Sequence, residues 1–336
     1  MQSNGDPCRP GSFVLRVVCG GVLALASAAS MAQAFPNKPI TIVVAYPAGG
    51  GADALARALQ PSMSKALGQA VIVENVPGAG GSLGVQRLLN APADGYTLLV
   101  GSTNEVVLAP LAMASVKYKA QDVQMLAPIS LNPLVIMARK ELKASNAAEL
   151  VALGKTSGAR PISFGSVGYG SMYHIVPAYF GQRTGMELLH VPYKGTAPLI
   201  QDLAAGQIDF TILPNVGTPT QLLETGKIKA LAILDGHKMP TLSKTQTITE
   251  SGLNLNDFQF AVWAGVLARP GIPADRLQIL LKAIQEGIRS DAVDKALEPS
   301  GVKALPSMSL EQSARFFRED AAKFRDIAKS IKLQAE

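Results

Sequence analysis

Two stretches of this chain join a strand end, a run of glycines and the start of a helix. The first is Tyr46-Pro47-Ala48-Gly49-Gly50-Gly51-Ala52-Asp53 and the second is Gly165-Ser166-Val167-Gly168-Tyr169-Gly170-Ser171. The opening turn of a helix has N–H groups without backbone partners and carries a partial positive charge. Glycine removes the side chain that would keep a ligand from those groups. Such a turn can hold an anion without any basic side chain. In the first stretch the candidate ligand-binding residues are Tyr46, Gly49, Gly50, Ala52 and Asp53, with Asp53 near the N-cap. In the second they are Ser166, Tyr169, Gly170 and Ser171, with Ser171 as the expected N-cap. His174 lies three residues further on, within reach of the same place, although a satisfied structural role is the commoner one for such a histidine. Ser102 and Thr103, just past a third strand, and Tyr193, ending a later one, join the set. Either glycine run alone is equally well explained as a tight turn. Two of them, one in each half of the chain, point to a small anion held between them.

Sharper chemistries fail on spacing. Val76 to Gly84 starts like a dinucleotide-binding loop, but Leu83 stands where the third glycine belongs. No glycine run is followed by Gly-Lys-Ser/Thr. Ser62-Met63-Ser64-Lys65 has the Ser-x-x-Lys of penicillin-binding enzymes without its companion motifs. His174, His190 and His237 lack the short spacing of zinc ligands. Both cysteines, Cys8 and Cys19, precede residue 35, so nothing after it can be a thiolate ligand or nucleophile. Asp53 and His174 alone remain as an acid–base pair for a cleft enzyme. The expectation is a binding protein with no catalytic residue, no cofactor and no metal.

The elements that must position the two turns alternate. Residues 1–34 stand apart. Arg9 and Arg16 give a basic start, residues 17–26 are apolar, and Ala32-Gln33-Ala34 offers a small-x-small cleavage site. This is the layout of a secretory signal cut after Ala34, which implies the periplasm. Its apolar run is shorter than the ~20 residues that span a bilayer. The remaining 35–336 suffice for two domains, each with its own core. Strand-like runs at 38–46, 70–74 and 96–101 alternate with helical patterns at 53–67 and 81–89. The pattern restarts with strands at 161–166, 188–193, 208–213 and 228–234 and helices at 171–184, 196–205 and 220–225. Such alternation argues for mostly parallel sheets with helices on both faces. After residue 268 the chain is mainly helical, with a capping box at Ser309-Leu310-Glu311-Gln312 opening the last helix. Helices without a sheet of their own must pack on an existing one, so this tail is expected to return to the first lobe. Two crossings are expected, near 134–138 and 260–267, as in a hinge that closes on a ligand. The net charge of +6 is spread along the chain and aromatic residues are 5%, which disfavours nucleic acid as a partner and suits the arrival of small anions.

Several motifs in order carry a family resemblance. They are Phe35-Pro36-Asn37-Lys38-Pro39-Ile40, Pro47 to Asp53 with Ala56-Arg57, Val73-Glu74-Asn75 with Pro77 to Gly81, and Pro92-Ala93-Asp94-Gly95-Tyr96-Thr97-Leu98-Leu99. Gly165-Ser166 with Gly168, Gly170-Ser171 and His174, then Val191 to Gly195, Gly206-Gln207-Ile208-Asp209 and Trp263-Ala264-Gly265 follow. The chain from residue 35 onward resembles the Bug-type receptors of tripartite tricarboxylate transporters. The resemblance implies an α/β fold of the type II periplasmic-binding-protein class, a "Venus flytrap" of two lobes, each a sheet flanked by helices. Lobe I would comprise 35–135 and 260–336, and lobe II 136–259. A carboxylate would be held by the two glycine turns, partly through water. The implied partners are the large and small subunits of a membrane transporter, with presentation of the ligand to a membrane sensor kinase as the alternative, and a monomer is expected. One position departs from the family. Where members often place an aspartate that meets an amino or hydroxyl group, this chain has Leu213, followed by Pro214 and Asn215. Leucine does not favour a polar group there, so the expected ligand is a di- or tricarboxylate or an aromatic acid, with a less polar far end.

Overall fold

The structure, a computed structural model, describes residues 1–2, 35–156 and 160–335. The expected signal core, Cys8, Cys19 and the cleavage site after Ala34 lie outside the described residues. Met1–Asn37 and Lys38–Glu336 form separate compact units, and the second holds both glycine turns.

Its first sheet begins with β1 (Ile40–Val44), a β-branched run buried on both faces, as a central parallel strand must be. Pro47 and the glycines break it, and α1 (Gly51–Leu67) follows. The expected stripe Leu55, Ala56, Leu59, Met63 and Leu67 is the buried face of α1. The helix starts two residues earlier than expected, because Gly50 rather than a residue beside Asp53 takes the extended N-cap conformation. β2 (Val71–Asn75) and β3 (Thr97–Ser102) pair in parallel on either side of β1. Between them α2 (Ser82–Leu89) crosses the sheet. After β3 comes a π turn, Asn104–Leu108, running into the short α3 (Ala109–Ala112).

β4 (Gln124–Arg139) then leaves this lobe for the next. The second lobe adds α4 (Ala147–Thr156), β5 (Ile162–Ser166), α5 (Met172–Thr184), β6 (Leu188–Pro192), α6 (Thr196–Ala204), β7 (Phe210–Pro214), α7 (Thr218–Glu224) and β8 (Ile228–Ile233). The chain returns on β9 (Ala261–Ala268) and ends with α8 (Ala274–Ile288), α9 (Asp291–Leu297) and α10 (Leu310–Ser330). The strand order is β2-β1-β3-β9-β4-β7-β5-β6, with β8 beside β4. Strands β1 to β3 are parallel to one another, and so are β5 to β7. β4 and β9 are antiparallel to their neighbours, so the sheets are less uniformly parallel than the sequence pattern implies. The reason is connectivity: one strand carries the chain out and the other brings it back.

β4 belongs to both sheets. Its first part, Gln124 to Pro133, pairs with β9, and Leu134 to Arg139 pair with β7 and β8. The exchange occurs at Leu134, whose N–H donates to Phe260 O at 2.8 Å and whose carbonyl accepts from Leu234 N at 2.8 Å. The register slips between Pro128 and Ser130, since proline cannot donate to the ladder and belongs at irregularities. One core cluster runs through both lobes, from Val43 and Leu99 to Ile136, Phe164 and Phe210.

The helical tail goes further than expected. α8 lies on α1, close enough that Gly287 faces Leu59 and Met63. α10 packs on the first lobe through Trp263, whose ring meets Phe317 at 5.8 Å and whose Nε1 donates to Asp320 at 2.8 Å. Its end, however, reaches the second lobe. Gln182 Nε2 donates to Ser330 O at 2.7 Å, and Ser330 Oγ donates back to Gln182 Oε1 at 3.0 Å. The tail therefore packs on the first lobe and touches the second at its end.

The loop that resembled a dinucleotide turn serves packing. A Cβ at Gly84 would lie 2.6 Å from Ala45 Cα, inside β1's end. Two effects compete at this helical position. Alanine gains ~1 kcal/mol of helix propensity over glycine, while overpacking costs about 1–3 kcal/mol. A contact with rigid backbone cannot relax cheaply, so Gly84→Ala should lower the unfolding free energy by about 1–2 kcal/mol. Equilibrium urea denaturation measures this, and a more stable variant would refute the packing argument.

Candidate ligand-binding site

The first glycine turn is built around Asp53. Its Oδ2 accepts from Gly49 N and from Arg57 Nε, both at 2.9 Å. Its Oδ1 accepts from Asn75 Nδ2 at 3.0 Å, and the same amide donates to Tyr46 O at 3.1 Å. The Arg57 bond, then the Gly49 N–H, hold the buried carboxyl down at about 2. Asp53 is thus a brace for the turn and is saturated by its own neighbours. The turn itself is open. Gly49 has φ +86°, and a Cβ at Gly49 or Gly51 would meet no protein atom within 4 Å. Gly50 and Ala52 flank the exposed start of α1, where a ligand can approach the amides.

Beside it, the end of β3 holds a group that the sequence reading missed. Glu105, in the π turn, is fully buried. Its Oε1 accepts from Ser102 N at 2.5 Å. Its Oε2 accepts from Ser102 Oγ at 2.7 Å and from Tyr46 Oη at 2.8 Å. Burial pushes the Glu105 carboxyl up, and the three donors oppose that shift. Burial first, and then the charge of Glu105, push the Tyr46 phenol up as well. Thr103 is fully buried, and its Oγ1 has no hydrogen-bond partner among the described residues.

The second turn is less open than its sequence suggests. Ser171 has the extended N-cap conformation, but its hydroxyl donates to Gly168 O at 2.7 Å instead of capping α5. The cap comes from the other lobe: Asn104 Oδ1 accepts from Met172 N at 3.2 Å. Gly170 (φ +72°) lies against α3 so closely that a Cβ would meet Ala112 Cβ at 2.0 Å. Gly168 (φ +129°) faces open space. Tyr169 stacks on His174 at 4.6 Å, and its hydroxyl accepts from Gln334 N at 3.2 Å.

His174 and His190 form a stacked pair, centroids 4.2 Å apart, against Phe164. His174 Nδ1 accepts from Gly170 N at 3.1 Å, so the ring braces the turn and is buried. Burial, and then its histidine neighbour, hold the His174 imidazole down at about 4. His190 Nε2 is 2.7 Å from Ser166 Oγ, which resembles a catalytic dyad. Ser166 Oγ also lies 3.1 Å from Gly168 O and accepts from Gly168 N at 3.2 Å, so the contact belongs to the turn's own hydrogen-bond set. The pair is a fastening of the turn.

The structure therefore brings Tyr46, Gly49, Gly50, Ala52, Ser102, Thr103, Ser166, Gly170 and Ser171 to the carboxyl ends of the strands, where open α/β sheets bind ligands. Tyr193 and Leu213 have partners of their own. Tyr193 Oη donates to Asp202 Oδ2 at 2.8 Å, and burial, then Asp202, push the phenol up to about 12. Leu213 is buried in an apolar cluster with Val135, Leu199 and Met239. Asn104, Glu105 and His190 were legible only as ordinary polar residues, since their partners lie 3 to 68 residues away. Two grooves occur elsewhere, of about 360 Å³ beside α7 and about 250 Å³ beside α10, and neither is lined by the glycine turns.

Residues 55–333 match the tripartite tricarboxylate transporter family receptor. Protein BugT of Bordetella pertussis is 32% identical over 314 residues, covering 91% of this chain and 93% of that protein. The periplasmic binding protein BugD superposes with a TM-score of 0.73 at 29% identity, over 90% of this chain and all of that one. Rpa4515 of R. palustris, solved with adipate, has a TM-score of 0.75 at 28% identity, over 90% of this chain and all of that one.

The buried histidine pair makes stability depend on pH. A folded-state value below the unfolded 6.5 means that the unfolded chain binds more protons between about pH 4 and 6.5. The contribution is complete above pH 6.5 and fades as pH falls toward 4. In His174→Asn the amide oxygen replaces Nδ1 as acceptor for Gly170 N but does not titrate. Between pH 7 and 4.5 the wild type should lose about 1–3 kcal/mol more than this variant. Denaturation curves at several pH values decide it, and equal slopes would refute the assignment.

Proposed function

We propose that this chain, which belongs to the tripartite tricarboxylate transporter family of receptors, is an exported solute-binding protein that closes its two lobes on a small carboxylate. The observation that carries this is the open first turn together with the contact of the second turn's helix with the π turn of the first lobe. The amides at the start of α1 stand open, while Met172 N at the start of α5 takes an oxygen delivered from the opposite lobe by Asn104. A ligand carboxylate has the same acceptor chemistry and can replace that amide oxygen, with the helix dipole favouring its charge. The adipate held by Rpa4515 supports a carboxylate as the class.

The leucine at position 213, buried among aliphatic residues, makes that part of the second lobe apolar. A di- or tricarboxylate or an aromatic acid remains the class to test. Its release partners are the membrane subunits of a transporter, and the receptor acts as a monomer. No catalytic step is part of this reading.

Residues 35–336 should gain stability with one class of carboxylate. An acid at 100 times its Kd adds about 2.7 kcal/mol, visible as a thermal shift, and calorimetry with recovery of the unchanged acid completes the test. No shift with mono-, di-, tricarboxylic or aromatic acids would refute the proposal. The exported protein should begin at Phe35, so intact mass of a periplasmic extract checks cleavage after Ala34. A protein retaining residues 1–34 would refute export by that route.

A further inference from the structure

We infer that Glu105 sets the polarity of the first lobe's side of the site: by taking the protons of Tyr46 and Ser102 it turns both hydroxyls into acceptors toward the cleft, and so selects acids that carry a hydroxyl or ammonium group beside a carboxylate. This rests on the carboxylate-binding reading above and narrows it.

A hydroxyl has one proton and two lone pairs. Tyr46 Oη and Ser102 Oγ both donate to Glu105 Oε2, at 2.8 and 2.7 Å. Ser102 N is committed to Oε1. Glu105 is fully buried, whereas Tyr46 and Ser102 are part-exposed, so the acid stands behind the two hydroxyls. What they can offer a ligand is lone pairs. Ser102 Oγ also accepts from Asn104 N at 3.4 Å, which leaves it one.

The carboxylate cannot swing out to release them. A Cβ at Gly81 would lie 2.8 Å from Glu105 Cβ, and one at Gly101 would lie 3.1 Å from Oε1, so glycines press on the side chain from two sides. Tyr118 Oη holds the backbone by donating to Glu105 O at 2.6 Å. The titratable groups facing Glu105 are Tyr46 from the end of β1, Tyr118 from the segment before β4 and Tyr173 from α5. No lysine, arginine or histidine is bonded to it among the described residues. The site thus divides its labour. Amides at the start of α1 receive a carboxylate, and the two hydroxyl oxygens receive a donor. A ligand that lacks the donor leaves desolvated acceptors unpaired, and a second carboxylate placed there would meet lone pairs instead of donors.

Two matched series test this. Succinate, malate and aspartate differ only in H, OH or NH₃⁺ on one carbon, and so do phenylacetate, mandelate and phenylglycine. Calorimetry on residues 35–336 should show the OH or NH₃⁺ member of the better-binding series favoured over the H member by about tenfold or more. In Glu105→Gln the amide oxygen still accepts from Ser102 N, while its NH₂ donates to Tyr46 and Ser102 and frees their protons for the cleft. The preference should shrink at least tenfold and move toward the H member. Ser102→Ala, which removes one acceptor and keeps Glu105, should lose part of the preference without reversing it, and covers the case in which the glutamine variant does not fold. A wild type that binds the H member as tightly as the others, or a folded Glu105→Gln or Ser102→Ala with the wild-type ratio, overturns the inference and leaves the carboxylate reading standing. Failure of every acid to bind overturns both.

Discussion

The fold depends on one strand serving two sheets. β4 is 16 residues long, about 50 Å of extended chain, and its two parts have different partners. Because backbone N–H and C=O groups must be paired when buried, the lobes cannot separate without breaking the ladder at Leu134, where strands from both return segments attach. The same geometry fixes where the site lies. The parallel strands of each lobe carry a glycine turn at a carboxyl end, and the start of α5 there meets Asn104 of the first lobe.

The contact between the lobes at the second turn uses a side-chain acceptor and a close backbone approach. The start of α5 has no cap from its own serine. It accepts one from Asn104 across the cleft, and Gly170 lets the backbone come up to Ala112. A helix start left without a partner on opening is costly when desolvated. In this structure the helix start is satisfied by the opposite lobe. The contacts of Ser330 and Gln334 with α5 and Tyr169 add a second link between the lobes, at the end of a helix anchored by Trp263.

Glycine has opposite uses within this molecule. At Gly49, Gly51 and Gly168 the space beside Cα is open, which leaves room for a ligand. At Gly81, Gly84 and Gly101 it is filled by Glu105, Ala45 or Leu267, and the residue is small because the neighbour is close. Sequence motifs do not separate these uses, since both appear as glycine runs after a strand.

The sequence by itself determined the alternation of strands and helices, the two glycine turns and the family, because apolar periodicity and turn residues act over a few positions. It pointed to the candidate ligand-side residues for the same reason. Tertiary structure decided what those residues do. Asp53 is a brace because Asn75 and Arg57 reach it, His174 is buried because His190 and Tyr169 stack on it, and Leu213 lies among aliphatic residues beneath the strand ends. Glu105 became visible only when folding removed it from water and set two hydroxyls upon it. Hydrogen bonds between residues far apart in the chain leave no local pattern, so the direction in which a hydroxyl points its proton is settled by packing alone.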